Sequence, residues 1–120
     1  MQFLVMVKAT EASEAGQMPS KDDLARMGAF NETLARDGII LGAGGLHPSA
    51  KGARIDYSGA KPHVIDGPFA ETKELVAGFW ILQARSKDEL IERLLPCPFQ
   101  RGEQIEIRQL HEPEDYAGIA

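Results

Sequence analysis

Asp66-Gly67-Pro68-Phe69-Ala70-Glu71-Thr72-Lys73-Glu74, followed at once by Leu75-Val76-Ala77-Gly78-Phe79-Trp80-Ile81-Leu82, is the stretch on which the fold turns. Its second half is a continuous apolar run of strand length and reads as a central strand buried on both faces. Its first half extends neither a helix nor a central strand. Pro68 lacks a backbone donor and fixes φ, while Gly67 permits conformations that other residues avoid. It reads as a shaped loop that holds Asp66, Glu71, Lys73 and Glu74 beside a core strand, where sites tend to sit.

Toward the C-terminus, Ser86-Lys87-Asp88-Glu89 has the form of a capping box. Leu90, Ile91, Leu94 and Leu95 then mark the buried stripe of a helix that Pro96 stops. Glu103 to Leu110 alternates Ile105 and Ile107 with Glu106 and Arg108, a last strand with one wet face. Toward the N-terminus, Lys51 to Tyr57 and Lys61 to Ile65 flank Ser58-Gly59-Ala60 and predict a hairpin. Ile39 to Leu46 is a strand that breaks into glycines. His47-Pro48-Ser49 follows it with no helix signal, so a bulge or a close backbone approach explains Gly42, Gly44 and Gly45 better than a phosphate cradle does.

Ser20 caps an earlier helix in a box completed by Asp23, and Asp22 and Asp23 favour the positive end of its dipole. Leu24, Met27, Phe30 and Leu34 form its apolar stripe, and Gly38 ends it. Thr10 to Pro19 reads as a mobile surface loop that could act as a lid. Gln2 to Ala9 is a first strand, largely apolar on both sides.

The order strand, helix, strand, hairpin, strand, helix, strand predicts an α+β domain. Its arrangement is ferredoxin-like βαββαβ with an extra hairpin, an antiparallel sheet carrying both helices on one face. The other face must be wet or buried in a second copy. The apolar first and central strands argue for burial, and face-to-face pairing yields a dimeric α/β barrel. One domain spans residues 1–120, and 111–120 forms an acidic tail that is either frayed or laid along a partner chain.

A net charge of −5 argues against a general nucleic-acid binder. No apolar run approaches the ~20 residues of a membrane span, so no membrane partner is expected. The N-terminal strand lacks a basic lead and reads as no signal peptide. Cys97 is the only cysteine, which fits a reducing cytoplasm. Two readings of it are a reactive thiol and a semi-buried small residue after a helix. Nothing basic neighbours it in sequence to lower its pKa, which favours the second.

The acid–base candidates are Asp66, His47 and His63. Asp66 can serve as a general base or ligand anchor, or it can bond nearby amides in an Asx turn. His47 leaves a strand end near the Asp66 loop. His63, three residues before Asp66 on one strand, points to the opposite face, so His47 is the better partner. Phe69 and Trp80 offer apolar wall, although Trp80 also suits the core. Glu71, Lys73 and Glu74 can line a pocket mouth or form ion pairs across a dimer. Arg54 and Arg108 can hold an anionic ligand or cover a solvated strand face. The histidines at 47, 63 and 111 are too scattered for metal-ligand spacing, and no metal or cofactor is expected.

The Asp66–Glu74 motif with Gly78-Phe79 resembles the signature of the YCII-related or DGPF-domain family. Agreement extends to Met1–Lys8, Leu46 and Pro48 after Gly45, Ser86 with Glu89, Pro98, and Glu106-Ile107-Arg108. The resemblance covers nearly the whole chain. It implies the ferredoxin-like fold and a homodimeric barrel, and it implies less about activity, because family members largely lack an assigned reaction. A His–Asp dyad is suggested for the YCII branch, and its aspartate maps to Asp66. Its histidine lies in the first helix, and Leu24 to Asp37 contains none here. The dyad therefore does not carry over as a pair. Two functions are expected in consequence: an unknown small molecule bound beside Asp66 with cofactor-free acid–base chemistry, or a non-catalytic binding or regulatory module of the kind the family places near sigma-factor-like proteins. Small monooxygenases and muconolactone isomerases share the barrel by fold analogy alone.

Overall fold

The computed structural model describes residues 1–119. In chain order the elements are β1 (Gln2–Lys8), α1 (Glu11–Glu14), α2 (Lys21–Arg36), β2 (Ile40–Gly45), β3 (Ala53–Asp56), β4 (His63–Asp66), β5 (Val76–Gln83), α3 (Lys87–Leu94) and β6 (Ile105–Gln109). The main sheet has the order β2-β5-β1-β6 with every neighbour antiparallel. The two most apolar strands therefore lie at its centre, and the fold is the expected ferredoxin-like one.

Alternation along the strands sorts the two faces. Phe3 and Val5 of β1 stand opposite Leu82 and Trp80 of β5, and all four are buried with Leu34 of α2 and Leu90 and Leu94 of α3. Both helices thus cover one face. Fully burying one such side chain contributes about 1.5–3 kcal/mol. Trp80 donates its indole N–H to Asn31 Oδ1 at 3.0 Å and meets Phe99 edge-on at 6.1 Å.

The other face has no cover among the described residues. Leu4 stands opposite Ile81 and Met6 opposite Phe79, and these four are only half-buried. The domain measures 48 × 47 × 20 Å. Twenty ångströms accommodate one sheet and one layer of helices, each about 10 Å thick, and no third layer. The radius of gyration is 16.8 Å, against about 13.6 Å for a compact domain of this length. The excess reflects the open sheet face and the β3–β4 hairpin, which forms a sheet of its own. The hairpin leaves Ile55, Val64 and Ile65 exposed.

Gly44 pairs with Phe79, and a Cβ there would sit 3.1 Å from the Phe79 ring. The pairing of β2 with β5 also slips between Ile40 and Gly42. Close approach and a bulge therefore account for the glycine-rich strand.

Several local expectations change. The Thr10–Pro19 segment contains α1, because Thr10 and Ser13 cap each other reciprocally. At α2 and α3 only half of the expected box forms. Ser20 accepts from the Asp23 amide and Ser86 from the Glu89 amide, while the Glu89 carboxylate turns to Arg85 at 3.4 Å. Leu24, Ile91 and Leu95 fall on the solvent side of their helices; the stripes are narrower than their spacing suggests because one sheet face lies beneath them. Gly38 takes φ 69° just past the α2 cap, the left-handed turn that glycine favours. The hairpin strands are shorter than expected, and Lys51 belongs to a 3-10 turn, Ser49–Lys51. A further 3-10 turn spans Pro113–Tyr116 in the tail, and Glu112 there lies 3.9 Å from the Met1 amino group. Ala120 of the tail lies outside the described residues.

Candidate functional site

β4 ends at Asp66, and the Gly67 amide donates to the Gly52 carbonyl at 3.0 Å, carrying the hairpin one residue further. The chain then passes so close to the Ser49–Lys51 turn that a Cβ on Gly67 would lie 1.8 Å from the Ser49 carbonyl oxygen. Only glycine fits. Ser49 also anchors the loop beyond Gly67. Its hydroxyl accepts from the Phe69 amide at 3.0 Å and donates to Glu14 Oε1 at 2.5 Å, while its own amide donates to Glu14 Oε2 at 2.9 Å. One carboxylate from α1 and one hydroxyl from the turn after β2 therefore clamp the Asp66 loop. The Arg54 guanidinium then lies 3.8 Å from the centre of the half-buried Phe69 ring, a cation–π contact.

The two Ser49 hydrogen bonds, the hydroxyl's first, hold the Glu14 carboxyl below its ordinary pKa. Because the folded value is depressed, the stabilisation is present above the unfolded value and is lost as pH falls through the folded one. Acidification below about pH 4.5 will therefore loosen the loop, an effect read as a lower protection of the Phe69 amide against exchange relative to its intrinsic rate at each pH. Ser49→Ala should speed that exchange already at neutral pH. Equal rates in the variant would show that the clamp does not hold the loop.

Asp66 is exposed, and its carboxylate makes no hydrogen bond among the described residues. The Asx turn does not form; Ser49, not Asp66, holds the loop amide. His47 is exposed beyond β2, two residues before Ser49. Because Asp66 precedes Gly67, the Gly67–Ser49 approach draws the segments carrying Asp66 and His47 together, with no hydrogen bond between the two side chains. Trp80 belongs to the helix-facing core, which takes up its whole ring, and so forms no wall of an open pocket. Arg108 lies 3.5 Å from Glu106 on the edge strand β6. Glu71, Lys73 and Glu74 form no ion pair among the described residues.

Two clefts stand out. One, of about 280 Å³, lies on the helical side between Ile39, Gln83, Leu90 and Arg93. The other, of about 290 Å³, lies at the end of β1 and includes Lys73 of the Asp66 loop. Neither Asp66 nor His47 lines either one. Cys97 is half-buried with its Sγ 3.8 Å from Met27 Sδ. Burial, with the nearby Glu103 charge adding to it, pushes its thiol pKa up to about 12. The native thiol will therefore resist a disulfide reagent at pH 8 and react only on unfolding. Prompt reaction of folded protein would overturn the semi-buried reading.

Sequence reasoning missed Glu14 and Ser49. Their bond spans 35 positions, and neither carries a recognisable motif. The only local signal was the Thr10–Ser13 capping pair, which places Glu14 on a helix rather than in a loop.

The chain matches the YCII-related domain over residues 1–113. It belongs to the YCII-related family. Within a relative from Rhizobium meliloti (strain 1021), an uncharacterised protein, 47 residues are 40% identical; the match spans 39% of this chain and 38% of that one. Among solved structures the fold is similar to 5-chloro-2-hydroxyhydroquinone dehydrochlorinase (TftG) from Burkholderia phenoliruptrix AC1100, in complex with 2,5-dihydroxybenzoquinone. The TM-score is 0.50 at 21% identity, covering 95% of this chain and 98% of that one. This YCII-related protein is thus similar to that enzyme in fold over 95% of its length. Among its described residues no helix is long and apolar enough to cross a membrane.

Proposed function

We propose that this YCII-related protein is a homodimer that binds a small organic molecule between the open sheet face and the Asp66 loop. The uncovered face carries the reading. Leu4, Met6, Phe79 and Ile81 make an apolar floor with no roof in a single chain, and the exposed hairpin supplies a second apolar surface. A second copy laid on that face removes both from water and encloses a space beside the loop. Phe69, Glu71, Arg54 and Arg108 would line it.

The chemistry proposed there is acid–base and needs no cofactor. Asp66 carries a carboxylate with no competing hydrogen bond and accepts a substrate proton, and His47 returns one. The family neighbour supplies the first probe, 2,5-dihydroxybenzoquinone, and its hydroxylated aromatic relatives supply the first substrates. Sedimentation should show a dimer. Saturating ligand should raise stability, by about 2.7 kcal/mol at a hundred times Kd. Asp66→Asn and His47→Ala should each cut turnover by roughly 10²–10⁴ while leaving the dimer intact. Unchanged turnover in both variants sinks the assignment. Binding without any turnover identifies a non-catalytic module instead.

A further inference from the structure

We infer that the cleft at the end of β1 is an oxyanion site for a small carboxylate. Lys8, Ala9, Thr10, Lys73, Gly102 and Gln104 line its space of about 290 Å³. That is the lower end of small-molecule sites and suits a single-ring acid. Three chain segments meet there, and backbone hydrogen bonds fix them. The Lys8 amide donates to the Gln104 carbonyl and the Ala9 amide to the Leu75 carbonyl, both at 2.9 Å. Lys73 itself sits in a 3-10 turn, Thr72–Glu74. Gly102 turns the third wall at φ 92°.

The charges are uneven. No carboxylate lines the cleft, although the chain as a whole carries −5. Lys8 is four-fifths buried, and its Nζ lies 3.9 Å from Glu106 Oε1. The other Glu106 oxygen faces Arg108 at 3.5 Å. One carboxylate thus serves two cations, and Lys73 has no ion-pair partner among the described residues. A largely buried ammonium with half a counter-charge, beside a second unpaired one, favours an anion between them. The Thr10 hydroxyl oxygen accepts from the Ser13 amide, and the Gln104 side-chain amide makes no hydrogen bond among the described residues and can donate to a ligand. Two point-charge donors and one amide suit a carboxylate and give no advantage to its neutral amide counterpart. The inference stands apart from the chemistry proposed for Asp66 and His47, which do not line this cleft.

Calorimetric titration of the full chain with benzoate and with benzamide tests it. Benzoate should bind at least about tenfold tighter than benzamide and weaken as salt is added. Lys73→Gln, a change at an exposed side chain, should lower benzoate affinity about tenfold. Gln104→Glu should lower it further by setting a negative charge in the cleft, and Asp66→Asn should leave it unchanged. Equal affinity for the two probes, no benzoate binding, or indifference to both cleft variants would overturn the site. Loss of benzoate binding in Asp66→Asn would move the ligand to the Asp66 side chain, outside this cleft, and overturn this location.

Discussion

Gly67→Ala will destabilise the protein by roughly 3 kcal/mol or more, beyond the usual cost of an added methyl in a packed site. The new Cβ would lie 1.8 Å from the Ser49 carbonyl oxygen and 2.6 Å from its carbonyl carbon. Both are backbone atoms, so no side-chain rotation relieves the contact. The Ser49–Lys51 turn or the loop must move as a body. Either movement breaks the Phe69–Ser49 bond and pulls Ser49 from Glu14. Urea denaturation gives the cost, and a fall in melting temperature of roughly 10 °C should accompany it. Gly59→Ala is the control, since a Cβ there finds its nearest neighbour at 3.7 Å. If Gly67→Ala proves as stable as the control, the loop does not pass Ser49 as described.

Leu90→Ala should cost about 2–5 kcal/mol, a large share of the 5–15 kcal/mol typical of a domain. Leu90 is fully buried within a core of seven buried apolar side chains among the described residues. The loss combines the transfer energy of the removed atoms with the cavity left between α3 and the sheet. Leu95, nearly one turn and a half further along the same chain segment, is 77% exposed. Its alanine variant should stay within about 0.5 kcal/mol of the parent. Equal losses at the two positions would contradict the orientation of α3. Both measurements belong at fixed protein concentration, because the apparent stability of the proposed dimer would depend on it.

The pair Leu90 and Leu95 shows where legibility stopped. Spacing placed all of Leu90, Ile91, Leu94 and Leu95 on one stripe. The sheet beneath accepts a narrower face, and Leu90 and Leu94 occupy it. The same holds for Leu24, whose place on the α2 stripe lies past the edge of the cover. Strand assignments fared better. The run Leu75–Leu82 is apolar on both sides, one side packing under the helices and the other lying on the open apolar face, and a run of that kind marks a central strand. The candidate site was readable only as a location. Asp66 and Phe69 stood out through their loop, but the hydroxyl that holds that loop comes from Ser49, 20 positions before Phe69. The carboxylate that holds Ser49 comes from a segment that lacked an apolar pattern.

The sequence by itself determined the order of the strands and of the two long helices, the sheet's central strands, the glycine-broken β2 and the family signature at Asp66–Glu74. Those features rest on side-chain alternation, caps and turn chemistry, which act between residues a few positions apart. Tertiary structure alone decided that Glu14, Ser49 and Phe69 form one clamp, that Arg54 covers Phe69, and that Lys8 and Lys73 share a cleft. Each of these depends on how distant segments meet, which local periodicity leaves free and which packing of the two helices on a single sheet face fixes.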